Sequence, residues 1–223
     1  MLIKTRGIVF RFTRYGDSSI IVSVFTEHAG LQSYIIKGIR KNKQGNSIAL
    51  YQPLTILDMV VYEREGASMN HVREARCRHI YSRIPGNMVR ETIAFFLNEL
   101  MTRSIREQSH PEELYEFLEH SLLELDGVAE PSNDFHLYFM SGLSRHLGFG
   151  ARQAAEITGG RILPEELLFG LQNILDGNRS EIGREARREI LELLSGFYRN
   201  HIEDFGQLKS VEVLQEILSQ SAR

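Results

Sequence analysis

The chain has 223 residues, 26 Lys and Arg against 29 Asp and Glu, a formal net charge of −3 and 42% hydrophobic residues. That composition belongs to a globular chain with length for one large or two small domains, and it excludes a disordered tail or a fibrous repeat. No apolar run approaches the ~18 residues of a spanning helix, and Met1-Leu2-Ile3-Lys4-Thr5-Arg6 lacks the apolar core of a secretory signal, so a soluble, cytosolic protein without membrane contact is expected.

Residues 1 to 80 cluster Val, Ile, Thr, Tyr and Phe in short runs separated by turn residues, the pattern of strands half-buried in a barrel or sandwich. Five strands are read: Ile3 to Phe12, Ser19 to Thr26, Leu31 to Lys37, Leu54 to Glu63 and Met69 to Arg76. Three connections are short and carry a glycine, namely Tyr15-Gly16-Asp17, His28-Ala29-Gly30 and Glu65-Gly66-Ala67. The connection from Gly38 to Pro53 is long enough for a helical turn or a loop. A long first strand, a tight meander, a wide gap and a final hairpin favour an OB-type barrel, while an SH3-like barrel also tolerates five strands.

After Pro85-Gly86 the spacing becomes helical. Stripes run through Val89, Ile93, Phe96, Leu97, Leu100 and Met101, then Leu114, Phe117, Leu118, Leu122 and Leu125, then Phe135, Tyr138, Phe139, Leu143 and Leu147. Start signals stand at Asn87, at Ser109-His110-Pro111-Glu112-Glu113, at Pro131-Ser132-Asn133-Asp134 and, for a fourth helix, at Leu163-Pro164-Glu165-Glu166. Gly127 and Gly148 are stop signals, and two more helices are read from about Ser180 to Tyr198 and from Ser210 to Ser219. The fold class is therefore α+β, with an N-terminal five-stranded OB-fold barrel over 1–80 and an all-helical C-terminal domain over 81–223.

Charge divides the chain at the same place. Residues 1 to 80 hold 12 Lys and Arg against 6 acids, and the remainder holds 14 against 23. The asymmetry favours a first domain that faces a polyanion, with salt pairing between the two halves as the alternative. The richest local feature is Lys37-Gly38-Ile39-Arg40-Lys41-Asn42-Lys43, whose four cations within seven positions suit phosphates met by charge rather than by fixed geometry. Issuing from the third strand, it would lie beside the OB face that binds oligonucleotides, with Arg14 and Tyr15 in the first connection and Arg64 in the last bordering one groove. Most aromatic residues of this half (Phe10, Phe12, Tyr15, Phe25, Tyr34, Tyr51, Tyr62) must fill the barrel; Tyr15 and Tyr34 are the candidates for outward stacking platforms.

Catalytic spacings are missing. The sequence has no phosphate loop ending in Lys-Ser or Lys-Thr, no dinucleotide fingerprint, no His-Glu-x-x-His pair and no nucleophile elbow. His136 and His146 stand ten apart on one helix, about 15 Å along its axis, too far to chelate one ion. Glu112-Glu113 and Glu165-Glu166 sit in first helical turns, where the helix dipole favours anions. With Cys77 the sole cysteine, the chain forms no intramolecular disulfide and no zinc site of several thiolates. No catalytic residue, metal ligand or cofactor is assigned.

The run Arg14-Tyr15-Gly16-Asp17 through Phe25-Thr26-Glu27-His28-Ala29-Gly30-Leu31, then Lys37-Gly38-Ile39-Arg40 and Tyr51-Gln52-Pro53-Leu54, resembles the bacterial RecO family of recombination mediators. Its elements are a Tyr-Gly-acid opening, a Phe-Thr-x-x-x-Gly turn, a Gly followed by a basic pair, and Gln-Pro-Leu ahead of the fourth strand; in the helical part Leu147-Gly148-Phe149 is the best local match. The resemblance implies an OB domain followed by a helical domain, binding of single- and double-stranded DNA, and strand annealing. It further implies contact with the acidic tail of single-stranded DNA-binding protein, cooperation with RecR and, through it, loading of RecA, in a cytoplasmic, nucleoid-associated protein that is not an enzyme. Many members carry a four-cysteine zinc site after the Leu-Gly-Phe position, but no cysteine follows Gly148 here. The expected DNA contacts are Arg14, Tyr15, Tyr34, Lys37, Arg40, Lys41, Lys43 and Arg64. The competing readings are an OB-like module that binds an acidic protein instead of DNA, and a nucleic-acid-processing enzyme with scattered catalytic residues.

Overall fold

The computed structural model describes residues 1–39, 48–63, 69–106, 110–130, 132–180 and 182–220. It divides into two compact units, one of Met1–Ser82 with Ile105–Leu123 and one of Arg83–Ser104 with Glu124–Arg223.

In the first unit five strands close a barrel: β1 (Leu2–Tyr15), β2 (Ser19–Thr26), β3 (Gly30–Lys37), β4 (Ile56–Tyr62) and β5 (Asn70–Cys77). Their order around the barrel is β1-β2-β3-β5-β4, and only the β3–β5 seam is parallel. This is the OB arrangement, and it sets aside the SH3-like alternative. A short 3-10 helix, Ile48–Tyr51, precedes β4. Strict alternation fills the interior with Val9, Ile20, Val22, Val24, Tyr34, Ile36, Leu57, Met59 and Val61. Gly7 belongs to this inward set: a Cβ there would stand 2.6 Å from Val24 Cγ1 and 3.1 Å from Met59 Sδ, so only hydrogen lets β1 close against its neighbours. At the β2–β3 turn Gly30 takes φ +65°, and the Thr26 hydroxyl donates to Gly30 O at 2.9 Å and accepts from Ala29 N at 3.2 Å.

Helix α2 (Pro111–Gly127) contributes its residues up to Leu123 to this unit. Proline at its first position loses no needed hydrogen bond. Pro111 Cβ lies 3.5 Å from the point a Cβ on Gly30 would occupy, and Glu116 and Glu119 both reach Arg6 of β1.

The second unit holds α1 (Met88–Ser104), α3 (Phe135–His146), α4 (Ala154–Thr158), α5 (Glu165–Asp176), α6 (Arg184–His201) and α7 (Ser210–Gln220). Apolar stripes at three- and four-residue spacing meet in its core, with Ile93, Phe96 and Leu97 of α1, Leu137, Met140 and Leu143 of α3, and Leu194 and Leu214 of α6 and α7 all buried. Asn87 Oδ1 accepts from Arg90 N at 3.0 Å, which caps α1 as its position predicts. Glu99 of α1 accepts from Lys209 N (3.0 Å), Ser210 N (2.8 Å) and the Ser210 hydroxyl (2.7 Å), tying down the free N–H groups at the start of α7. Burial pushes the Glu99 carboxyl up, but these donors and Arg103 outweigh it and hold it below the usual carboxylate range.

The helical readings hold with two adjustments. The sixth helix starts at Arg184 rather than near Ser180, because Gly183 takes an extended conformation (φ −58°, ψ 153°) at its N-cap. The five-residue α4 has no sequence-based counterpart; Glu156 Oε1 accepting from Gln153 N at 2.8 Å anchors its first turn. The stretch Gly148 to Gly160 offers no thiol to a metal, and its order comes from packing: Phe149 stacks on His201 at 5.0 Å and meets Tyr198 edge-on at 5.1 Å, while Ala154 and Ile157 are buried. Among the described residues no helix is long and apolar enough to cross a membrane.

Candidate nucleic-acid interface

Barrel register decides which of the expected contacts share a face. Tyr15 pairs with Ser19, and Ser19 with Lys37, so Tyr15 and Lys37 stand in one outward row two strand spacings, about 10 Å, apart. Arg11, paired with Ser23, lies on the same face two outward rows along. Tyr15 is 53% exposed, and Arg11, Arg14 and Lys37 are exposed as well. Arg14 follows the opposite alternation, paired with Ile20, and reaches solvent because β1 runs to the end of the barrel there. Ile39 N donates to Ser18 O at 3.0 Å, so the chain leaving β3 passes beside the β1–β2 turn. One end of the barrel thus gathers Arg14, Tyr15 and Lys37. Arg40, Lys41, Lys43 and Arg64, with the Glu65-Gly66-Ala67 connection, lie outside the described residues.

Tyr34 corrects the expectation of an outward platform. It is 2% exposed, paired with Val22 and Asn70, and packed in the barrel core, where burial first and the charge of Glu63 second push its phenol well above the usual range. The reason is parity: Tyr34 and Lys37 stand three positions apart on one strand, so if one faces out the other faces in.

The remaining cations divide into free and engaged. Arg11, Arg14, Lys37 and Lys4 make no ion pair among the described residues, whereas Arg76 reaches Asp58 at 3.1 Å, Arg78 reaches Asp58 at 3.2 Å and Glu119 at 3.0 Å, and Arg73 lies 3.4 Å from the neighbouring Glu74. Arg6 is held by Glu27, Glu116 and Glu119 and sits over the Tyr115 ring at 4.9 Å. Part of the positive excess of the first 80 residues is therefore neutralised by acids of the barrel and of α2, and among the described residues the cations without an ion pair stand on β1 and at the end of β3. Sequence reasoning missed Tyr62 (47% exposed) and His71 (exposed), which face each other outward across β4 and β5. A period-two alternation starting from Tyr62 and His71 carried that signal. Among the described residues no three His, Cys, Asp or Glu side chains converge as a metal site requires.

Comparison with known proteins matches residues 1–81 to the family described as "Recombination protein O N terminal" and residues 86–173 to "Recombination protein O C terminal". Similar full-length relatives include proteins named "DNA repair protein RecO" from Bacteroides fragilis (31% identical, 97% of this chain and 99% of the relative), Christiangramia forsetii (30%, 97% and 99%) and Phocaeicola vulgatus (30%, 98% and 100%). With an OB barrel and a helical unit in the matching order, the chain belongs to the RecO family of DNA repair proteins.

Proposed function

We propose that this protein is a non-enzymatic DNA-binding mediator of recombinational repair, with residues 1–80 as the DNA-binding domain and 81–223 as the domain for protein contacts. The observation that carries this reading is the end of the barrel where Arg14, Tyr15 and Lys37 converge, with no ion pair among the described residues, while Arg6, Arg76 and Arg78 are tied to carboxylates. Cations at a barrel end, with the basic run Arg40 to Lys43 following in sequence, suit phosphates of any sequence. In this role the protein anneals complementary strands and, with RecR, helps load RecA on single strands coated by single-stranded DNA-binding protein, whose acidic tail it engages. It works in the cytoplasm on nucleoid DNA and needs no metal or cofactor.

The test is fluorescence anisotropy of labelled single- and double-stranded oligonucleotides across a salt series, beside an annealing assay. Steeply salt-dependent binding with accelerated annealing is expected. Absence of binding at low salt, with retained affinity for an acidic peptide, would replace this reading by that of a protein-binding OB module.

A further inference from the structure

The parallel seam of the barrel is short. Tyr34 pairs with Asn70 and Ile35 with His71, yet β3 runs on to Lys37 and β5 to Cys77 without further pairing to one another. Beside this gap lies a cleft of about 500 Å³ whose lining includes Ile35, Lys37, Tyr51, Tyr62, His71 and Arg73, a volume within the range that ligand pockets occupy (~300–1,000 Å³).

Three features give the cleft a chemistry. Tyr62 and His71 are directly paired across β4 and β5 and His71 with Ile35 across the seam, so two exposed rings and a branched aliphatic form a continuous outward row. Lys37 supplies positive charge, as does Arg73, whose pair with the neighbouring Glu74 is long (3.4 Å) and solvent-exposed; Glu63, the acid of the lining, has its carboxylate 3.7 Å from His28. Tyr51, in the lining and 1% exposed, has a hydroxyl with no hydrogen-bond partner among the described residues. A buried hydroxyl left unpaired is unfavourable, and burial also pushes this phenol up to about 12, so the group is a neutral donor at physiological pH.

We propose that this cleft accepts an unpaired nucleobase of single-stranded DNA. The base stacks on Tyr62 and His71, its polar edge meets the Tyr51 hydroxyl, and Lys37 and Arg73 hold the flanking phosphates. A base within a duplex is already stacked and paired, so the cleft biases the barrel toward single strands. The inference rests on the DNA-binding reading above and adds a base-dependent component to what is otherwise charge recognition.

The test compares Tyr51→Phe, Tyr62→Leu and His71→Leu with the unaltered chain, by anisotropy on a labelled oligo(dT), an abasic strand of equal length and a duplex. Tyr51→Phe removes an oxygen that has no hydrogen-bond partner among the described residues, so its thermal midpoint is expected to stay or rise, which separates binding from folding. Tyr62→Leu and His71→Leu are expected to weaken oligo(dT) binding about fivefold or more, Tyr51→Phe in the same direction, with abasic-strand and duplex affinities unchanged. Equal losses on all three ligands, or no loss on any, would overturn the cleft while leaving DNA binding intact. An unaltered chain that binds none of them overturns the DNA reading and this inference with it. Capture of an acidic peptide that the same variants abolish would reassign the cleft to protein.

Discussion

The Arg6 guanidinium donates to Glu119 at 2.6 Å and, as a two-pronged pair, to Glu27 at 2.9 and 2.6 Å. One residue of β1 thereby links the turn after β2 to helix α2, and Arg78 completes the cluster through Glu119 at 3.0 Å. The hydrogen bonds from Arg6 hold the Glu27 carboxyl below the usual range despite its burial, and the same contacts raise the Arg6 guanidinium. This pairing uses charge that a count along the chain credits to DNA.

Removing Arg6 tests how far that cluster supports the barrel unit. Glu119 has only 7% of its side chain exposed, and Arg6→Met leaves it with Arg78 as its remaining cation. A loss of about 2–3 kcal/mol is expected, below the 3–5 of a fully buried pair because Arg6 retains 22% exposure. Glu116, with 61% of its side chain exposed, is expected to contribute no more than about 0.5 kcal/mol when replaced by Gln. Urea unfolding midpoints of the two variants check the contrast; equal losses would show that the exposed acid carries the clamp.

Salt titrations separate free cations from engaged ones. Each phosphate contact contributes about 0.7 to the log-log salt slope on single strands. Lys37→Ala and Arg14→Ala are each expected to lower the slope by roughly that amount, and removal of Lys37, Arg40 and Lys41 together by about 2. Arg76→Ala, which loses a pair with Asp58, is expected to leave it unchanged. A slope that ignores the triple replacement would remove the basic run from the interface.

The barrel was legible in this sequence because most of its strands alternate and a glycine marks the β1–β2 and β2–β3 turns. All five strand readings fall within two residues of the observed bounds at either end, except that β1 extends through Tyr15, three residues past its reading. The helices were legible from stripes and caps such as Asn87 and Pro111. What the sequence hid was partnership. Nothing in the spacing links Arg6 to Glu119 across 113 positions, so cations later neutralised look identical to free ones. Tyr34 is a different case, since parity with Lys37 already forbade a shared face.

Acidification probes the helical unit through His136. Complete burial first, and the charge of Arg187 second, push its imidazole down to about 3, so it is neutral in the folded chain. In the unfolded chain it titrates near 6.5. The unfolded state therefore binds the extra proton, and the stability this residue permits is fully present above pH ~6.5 and is lost as the pH falls toward 3, by a few kcal/mol at ~1.4 per pH unit. His136→Leu is expected to remove that component. The difference between the two unfolding free energies, measured from pH 7 to 4, should widen steadily in favour of the variant; a constant difference would show that the imidazole gains no proton on unfolding.

Gly7 offers the sharpest steric test of barrel closure. The position pairs with Thr26 on one side and Leu57 on the other, so β1 cannot move away from either neighbour without breaking a ladder. A methyl group on Gly7 would meet Val24 Cγ1 at 2.6 Å, and both atoms belong to the packed interior. Gly7→Ala is expected to destabilise the barrel by about 1–3 kcal/mol through overpacking, outweighing the ~0.5–1 kcal/mol that alanine ordinarily gains over glycine in the unfolded chain. Combining it with Val24→Ala vacates the space the methyl needs, so the double variant should lose less than the sum of the two single losses. Strict additivity in denaturant melts would mean that Gly7 is tolerated for backbone reasons and not for this contact.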